Sequence, residues 1–373
     1  MSYNPFVRGA YPVGVRTVTA TDRTRNRAFM IEIYYPATEQ YRGEDLDDAT
    51  RDEFAFAPEL PRSRQSAVRD AAVAAGSFPL LLHTHGAFGY RQVMSGICTH
   101  LASHGYIVAS NDVPGNTTAV LMEDVIGQRR GEAPKAASQK SVAEQRPRDA
   151  KFVIDAVIGG ADPEIAARIA AARIGALGQS AGGFTSLNLN SIDRRIGATV
   201  AIEPACGLNS KFPEMVELAK LLVVEDWGRP VPTLLLAGEL DPLVMLDDVR
   251  DLYARLRAPK RFANVLRAGH WHFADNAEQA HETFRQMYMT AFPDPHIDSR
   301  ALAEAMRPWS ELLSEQKAAD VGRSLCLAHM DAYLKDSAAA RAFLDGDLAA
   351  TFAARGTEIE TAVCELETEG VLR

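Results

Sequence analysis

The stretch IGALGQSAGG, residues 174–183, joins an apolar strand-like run to a segment compatible with a helix. Within it, Gly178-x-Ser180-x-Gly182 has the pattern of a nucleophile elbow, a sharp turn from a strand into a helix. The two glycines allow a tight backbone where a Cβ would clash. Such a turn lifts the serine hydroxyl clear of the sheet and places the free N–H groups of the next helix behind the reacting carbon. The stretch therefore predicts a nucleophilic serine at position 180.

A serine hydroxyl needs a base to remove its proton and an acid to orient that base, in the chain order serine, acid, histidine. Downstream of Ser180, residues 231–238 are an apolar run that reads as a buried parallel strand, and Asp241 follows its carboxyl end. Residues 261–267 read as the next strand, and His270 follows it. Open α/β sheets keep their sites at these strand ends. Asp241 and His270 are therefore the predicted acid and base.

Each of these two assignments has a competitor. Glu203 follows a strand-like run at residues 199–202 and is the alternative acid. We favour Asp241 because its strand is better defined and directly precedes that of the histidine. His272 lies two residues beyond His270, so in an extended backbone both side chains point the same way. Either histidine fits the base on this ground alone.

The oxyanion of an acyl-transfer reaction needs preorganised donors, usually two backbone N–H groups. Ala181, directly after the nucleophile, is expected to supply one. The second is expected from Ala87, in the loop HGAFG at residues 85–89 that follows a strand at 78–84. Nearby aromatic and imidazole side chains are candidates for the substrate pocket: Phe88, Trp271 and His272.

The chain resembles the serine branch of the dienelactone-hydrolase-like esterases in the α/β-hydrolase fold, close to bacterial platelet-activating-factor acetylhydrolases and polyester-cleaving cutinases. Beyond the elbow and the oxyanion loop, the likeness rests on motifs across residues 8–37 and 78–275, with a weaker helical match at 321–345: Tyr11-Pro12-Val13-Gly14, Asp22-x-x-Arg25-x-Arg27, Pro114-Gly115-Asn116-Thr117, Arg146-Pro147-Arg148-Asp149 and His270-x-x-Phe273-x-Asp275. The last motif favours His270 over His272. Dienelactone hydrolases themselves use cysteine as nucleophile, so Ser180 argues against dienelactone as the substrate.

The resemblance implies one α/β-hydrolase domain over residues 1–373, with a mostly parallel central sheet covered by helices on both faces. Strand and helix patterns alternate from 78 to 268, as such a sheet requires. Residues 38–77 read as an insertion with helix near 64–75, and 118–145 as an irregular insertion; both are expected near the active site. Residues 276–373 read as a helical extension. Arg146 is expected to begin the helix before the elbow.

The charge and hydropathy of the chain argue against several classes of function. The formal net charge of −9, with both signs scattered, argues against a nucleic-acid or anionic membrane surface. There is no apolar run of membrane-spanning length, and no signal-peptide pattern follows Met1, so a cytoplasmic protein is expected. A homo-oligomer is left open.

The pairs His83/His85 and His270/His272 also suggest a metal site. A metal-dependent hydrolase barrel would need further histidines mid-chain, and none lies between His104 and His270. We therefore expect a serine esterase that needs no cofactor or metal and acts on a small-molecule ester. Amide, carbamate or thioester cleavage would use the same triad. A non-catalytic binding module is the remaining alternative.

Overall fold

The computed structural model describes residues 3–55, 62–128, 130, 132–133, 135, 137–208, 213–224, 227–290 and 298–364. The strands in these ranges are β1 (Val13–Asp22), β2 (Arg27–Pro36), β3 (Glu53–Phe54), β4 (Ser63–Arg64), β5 (Val68–Arg69), β6 (Phe78–Thr84), β7 (Ile107–Asn111), β8 (Ile169–Gln179), β9 (Ile196–Ile202), β10 (Thr233–Gly238), β11 (Lys260–Val265) and β12 (Ile359–Cys364).

The helices are α1 (Ser95–Ser103), α2 (Thr118–Gln128), α3 (Gln139–Ile158), α4 (Pro163–Ala166), α5 (Ala181–Ile192), α6 (Pro213–Ala219), α7 (Leu246–Arg255), α8 (Ala277–Thr290), α9 (Ser299–Ala305), α10 (Glu315–Leu334), α11 (Ala338–Asp345) and α12 (Leu348–Ala353). Short 3₁₀ turns form at Glu39–Tyr41 and Trp309–Glu311. None of these helices is both long and apolar enough to cross a bilayer.

Ten strands form one sheet in the order β12-β11-β10-β9-β8-β6-β7-β2-β1-β5. The six strands from β11 to β7 are parallel neighbours, whereas β12, β2 and β1 join antiparallel. Parallel strands covered on both faces are apolar throughout, and every residue of β6 and β10 is buried. The parallel order brings the carboxyl ends of β6, β8, β9, β10 and β11 to one edge, where the loops carrying the predicted site begin.

Successive residues of a strand face opposite sides of the sheet, and β6 shows this directly. Leu81 packs in one apolar core with helices α1 and α10, whereas Leu80 and Leu82 pack in a second core with α3 and α7. The sheet is therefore covered by helices on both faces, as expected from the sequence.

Two expectations for the insertions were wrong. Residues 64–75 contain no helix; short strands form instead, and β5 pairs with β1 at the edge of the sheet. The stretch from Thr118, expected to be irregular, begins with the eleven-residue helix α2. Gly127 is the second-to-last residue of this helix, so the helix ends next to the glycine.

The helix before the elbow begins at Gln139 rather than at Arg146, and it contains Pro147. Ser138 caps it by accepting a hydrogen bond from the Ser141 N–H. Arg146 therefore lies in the body of α3, where its side chain is buried.

The C-terminal extension is helical as expected, but the last element of its described part is a strand that the sequence pattern did not predict. Strand β12 pairs antiparallel with β11 and closes that edge of the sheet. Helices α8 and α9 form a small satellite core around Trp271 with Tyr288, Leu302 and Met306. The extension thus packs directly on the segment that carries His270.

Candidate active site

Ser180 lies at the turn between β8 and α5 with φ 57° and ψ −120°. A non-glycine residue at positive φ is strained, and such strain is typical of a nucleophile elbow. The Ser180 N–H donates to the Ile202 carbonyl at 2.8 Å, which fixes the turn against β9. The glycines of the motif are required by contact: a Cβ at Gly182 would lie 1.8 Å from the Thr84 oxygen, and one at Gly178 2.4 Å from the Gly182 oxygen.

Asp241 and His270 follow the carboxyl ends of β10 and β11, and their side chains meet. Asp241 Oδ2 lies 2.6 Å from His270 Nδ1, and both side chains are buried. The other Asp241 oxygen, Oδ1, accepts from the N–H groups of Leu243 at 2.7 Å and Val244 at 2.8 Å. These donors fix the carboxylate, so the Nδ1 proton is held by Asp241 and Nε2 is left to act as a base.

Glu203 follows β9 and is also close to His270. Its Oε2 lies 3.7 Å from His270 Nδ1 and accepts from Gln179 Nε2 at 3.2 Å. Its Oε1 is buried without a hydrogen-bond partner among the described residues. Burial, followed by the nearby charge of Asp241, raises the pKa of Glu203 well above its usual value. Asp241 therefore makes the short contact with the imidazole of His270, and Glu203 is the more distant of the two carboxyl groups.

Gln179 connects the elbow to the histidine segment. Its Nε2 donates to the His270 carbonyl at 2.6 Å. Among the described residues, no hydrogen bond joins Ser180 Oγ to His270. In proteins without substrate this contact is often long and tightens when substrate binds. Gln179 occupies the variable position before the nucleophile in G-x-S-x-G, so the motif alone gives no sign of its role.

The expected oxyanion donors lie on either side of the nucleophile. Ala181 is the first residue of α5, so its N–H has no partner within the helix. The Gly86 backbone is close to the nucleophile, because a Cβ there would lie 3.3 Å from Ser180 Cβ. Ala87 follows Gly86 and is exposed, so its N–H is in the loop that borders Ser180.

The loop of residues 85–89 is held by hydrogen bonds from several directions. His85 Nε2 accepts from the Val113 N–H at 3.0 Å, so its Nδ1 carries the proton and bonds the Gly86 carbonyl at 2.7 Å. Burial, with the nearby charge of Arg146, lowers the pKa of His85 to about 3, so the imidazole stays neutral. Phe88 has φ 55° and is half-buried, and its carbonyl accepts from Thr118 Oγ1. His85 thus braces this loop rather than acting as a base.

The candidates for the substrate pocket differ in exposure: Trp271 and His272 are buried, whereas Phe88 is half-buried. Trp271 is 7% exposed and stacks on Phe284 of α8 with ring centroids 5.1 Å apart, so it anchors the extension. His272 is fully buried; its Nδ1 accepts from the Gly269 N–H at 2.9 Å, and its Nε2 donates to the Leu313 carbonyl at 3.0 Å. Both ring nitrogens of His272 are thus used by the backbone. Phe88 is the candidate that remains partly accessible.

In the described part of the chain, one group of side chains has the spacing of a metal site: Glu203, Asp241 and His270. Their contacts are those of a hydrogen-bonded group rather than of a metal site. Asp241 and His270 are already at hydrogen-bond distance, and Asp241 Oδ1 accepts hydrogen bonds from two N–H groups. The paired histidines do not converge on a site: His85 and His272 each use both ring nitrogens, and His83 Nδ1 bonds Ser110 Oγ at 2.7 Å.

Comparison with known proteins bears on the fold of the chain and on the kind of protein it resembles. Residues 48–121 match the model of a family described as platelet-activating factor acetylhydrolase, isoform II. This segment contains the loop of residues 85–89 and ends before Ser180. A ferulic acid esterase from Streptomyces cinnamoneus has a similar structure, with a TM-score of 0.63 over 98% of this chain and 99% of that chain at 20% identity. No relative was found among curated proteins. The chain therefore has the α/β-hydrolase fold and is similar to an acetylhydrolase family over residues 48–121 and to an esterase in structure.

Proposed function

We propose that this α/β-hydrolase cleaves carboxylic esters through an acyl-enzyme intermediate on Ser180. The observation that carries the proposal is the 2.6 Å hydrogen bond between Asp241 and His270, at the strand ends that follow a strained serine elbow. The names of the matched family and of the similar structure, an acetylhydrolase and an esterase, support an ester as the substrate. Hydrolysis of amide, carbamate or thioester bonds would use the same residues, and a comparison of the rates on such substrates identifies the preferred bond.

In the first half of the reaction, His270 Nε2 takes the proton of Ser180 while Oγ attacks the ester carbonyl. Asp241 holds the imidazole in the required tautomer and stabilises the imidazolium. The carbonyl oxygen becomes an oxyanion that accepts hydrogen bonds from the Ala87 and Ala181 N–H groups. When the intermediate collapses, the C–O bond to the alcohol breaks, His270 protonates the leaving alcohol, and the acyl group stays on Ser180.

In the second half, a water molecule enters and gives its proton to His270 as its oxygen attacks the acyl carbon. A second oxyanion forms at the same two N–H groups. Its collapse breaks the bond to Ser180 Oγ, which recovers its proton from His270, and the carboxylic acid leaves. The protein returns to its starting state, and no cofactor takes part in these steps.

The test is the intact mass of the protein after treatment with a fluorophosphonate, together with p-nitrophenyl ester hydrolysis across acyl lengths. We expect one adduct on the wild type and none on Ser180→Ala, which should also lose turnover. Ser191→Ala is the matched control, because Ser191 is exposed at the far end of α5. Turnover that survives Ser180→Ala but is lost with a chelator would overturn the serine mechanism and support a metallohydrolase. No adduct and no turnover in the wild type would support a binding module.

A further inference from the structure

Arg146 is a buried cation in the interior of the fold, in a motif that has no role in the proposed catalytic steps. Its side chain extends from α3 and is only 2% exposed. Burying a charge is costly unless the charge is well hydrogen-bonded, so the partners of this guanidinium indicate why it is retained. Burial lowers the pKa of Arg146 to about 9, with Asp149 opposing the effect, so the side chain remains protonated at neutral pH.

Among the described residues, Arg146 donates to two carbonyls of the loop at residues 85–89 and to Asn116, which also bonds that loop. Nη1 donates to the His85 carbonyl at 2.8 Å, and Nη2 donates to the Gly86 carbonyl at 3.0 Å. Nη2 also donates to Asn116 Oδ1 at 2.7 Å, and the same oxygen accepts from the Phe88 N–H at 3.4 Å. The planar fork of an arginine suits such a set of fixed acceptors, which a lysine could not match.

The Gly86 carbonyl and the Ala87 N–H belong to the same peptide group, so the orientation of one fixes that of the other. Arg146 Nη2 and His85 Nδ1, at 2.7 Å, bond the Gly86 oxygen, and the Gly89 N–H adds a third contact at 3.3 Å. A cation on the carbonyl end polarises the peptide and makes its N–H a stronger donor. The effect acts on the N–H expected to bind the oxyanion.

We propose that Arg146 is a positioning residue for the oxyanion hole, which holds and polarises the Gly86–Ala87 peptide so that the Ala87 N–H stabilises the transition state. The inference rests on the proposed function, because it assigns a role within the same site. The inference also explains how the rest of this motif and the Asp22-x-x-Arg25-x-Arg27 motif support the site. Asp149, one turn along α3, bonds Arg25 at 2.6 Å and Arg27 at 2.5 Å from the β1–β2 hairpin. These ion pairs fix the helix that carries Arg146.

The experiment compares Arg146→Met, which removes the charge, with Arg146→Lys, which keeps the charge but not the fork. Arg148→Met is the matched control, since Arg148 is exposed two residues further along the same helix. For each variant, kcat and KM are measured with p-nitrophenyl butyrate, and kcat is expressed per site titrated by fluorophosphonate, so unfolded protein is not counted. The inhibition constant of phenylboronic acid is measured in parallel, because its tetrahedral adduct with a serine resembles the transition state.

We expect kcat of Arg146→Met to fall by about tenfold to a hundredfold, with KM changed by less than about threefold. Phenylboronic acid should bind more weakly by a similar factor, because both losses report oxyanion stabilisation. Arg146→Lys should lie between the wild type and Arg146→Met, and Arg148→Met should match the wild type. If Arg146→Met does not fold, Arg146→Lys carries the same test.

Wild-type kcat per titrated site in a folded Arg146 variant would overturn the inference and leave the proposed function intact. So would a lower kcat with unchanged boronic acid affinity, since the loss would then arise outside the oxyanion hole. A wild-type protein that neither reacts with fluorophosphonate nor binds phenylboronic acid would overturn the proposed function, and the inference with it.

Discussion

Asp241 and Glu203 approach the same nitrogen of His270 from neighbouring strand ends, at 2.6 Å and 3.7 Å. Two buried carboxylates this close to one another cannot both ionise at low cost. Asp241 has two backbone N–H donors on its second oxygen, whereas the described residues give Glu203 a single amide donor and leave its Oε1 without a partner. Burial, with the neighbouring charge of Asp241, raises the pKa of Glu203, so the protonated form of Glu203 is favoured.

This division of roles predicts unequal effects of two isosteric substitutions. Asp241→Asn should lower kcat by about 10⁴, because the amide favours the wrong imidazole tautomer. Glu203→Gln should lower kcat by less than about tenfold, because a neutral amide resembles the protonated acid it replaces. The measurement is kcat for p-nitrophenyl butyrate per mole of purified protein, with circular dichroism to show that each variant is folded. Glu203 would be the catalytic acid if only its substitution abolished turnover.

A second pair of variants distinguishes the two histidines. His270→Gln should remove turnover while leaving the melting temperature within a few degrees of the wild type, because its partner Asp241 is also held by two N–H groups. His272→Gln should destabilise the protein, since it breaks contacts to Gly269 and Leu313. Differential scanning fluorimetry and kcat per mole of folded protein measure the two effects separately. A folded His272→Gln variant without turnover, beside an active His270→Gln variant, would reverse the assignment.

The parallel core could be predicted from the sequence because buried parallel strands carry a strong local signal. The strand at 78–84 was predicted with the bounds that β6 has, and residues 231–238 contain β10. The order of the elbow, Asp241 and His270 then followed from the fold, since each lies after a strand end. The contact between Asp241 and His270 depends on the register of β10 and β11, which periodicity does not give.

The predictions that were wrong concern segments in which tertiary contacts outweigh the local conformational preference of the sequence. Residues 64–75 are rich in alanine and charge, yet β5 forms there because it extends the sheet beside β1. The family resemblance predicted that a helix begins at Arg146, whereas α3 begins at Gln139 and continues through Pro147. The contacts of Arg146 with His85 and Gly86 join residues about sixty positions apart, so no local sequence pattern predicts them.

The elbow is expected to tolerate no side chain at position 182. In Gly182→Ala, the new Cβ would lie 1.8 Å from the Thr84 oxygen and 2.9 Å from the His85 oxygen, both backbone atoms that cannot move away freely. We expect little folded protein and no fluorophosphonate adduct. Gly127→Ala is the control: its Cβ would meet the end of the exposed Glu132 side chain at 3.2 Å, and helix propensity favours alanine. Soluble yield and circular dichroism measure the outcome, and a folded, reactive Gly182→Ala would contradict the geometry of the elbow.

The buried histidines predict that the fold loses stability in mild acid. Burial lowers the pKa of His329 to about 3, against an ordinary value of 6.5. Its Nε2 donates to the Pro232 carbonyl at 3.2 Å, and backbone hydrogen bonds to Pro232 and Thr199 favour the protonated ring, but burial outweighs them. Between pH 6.5 and 3 the unfolded chain binds this proton and the folded chain does not. The contribution of His329 is therefore present above pH 6.5 and is lost as the pH falls.

Replacing this histidine should flatten the pH dependence. Each such group contributes a slope of up to about 1.4 kcal/mol per pH unit to the free energy of unfolding. In His329→Gln the amide can still donate to Pro232 but does not titrate, so the slope between pH 6 and pH 4 should fall by about that amount. Urea unfolding at pH 8, 6, 5 and 4 measures it. Any loss of packing lowers stability equally at every pH, including pH 8 where the histidine is neutral in both states, so only the slope reports the proton. An unchanged slope would mean that His329 is protonated in the folded protein or remains neutral in the unfolded chain.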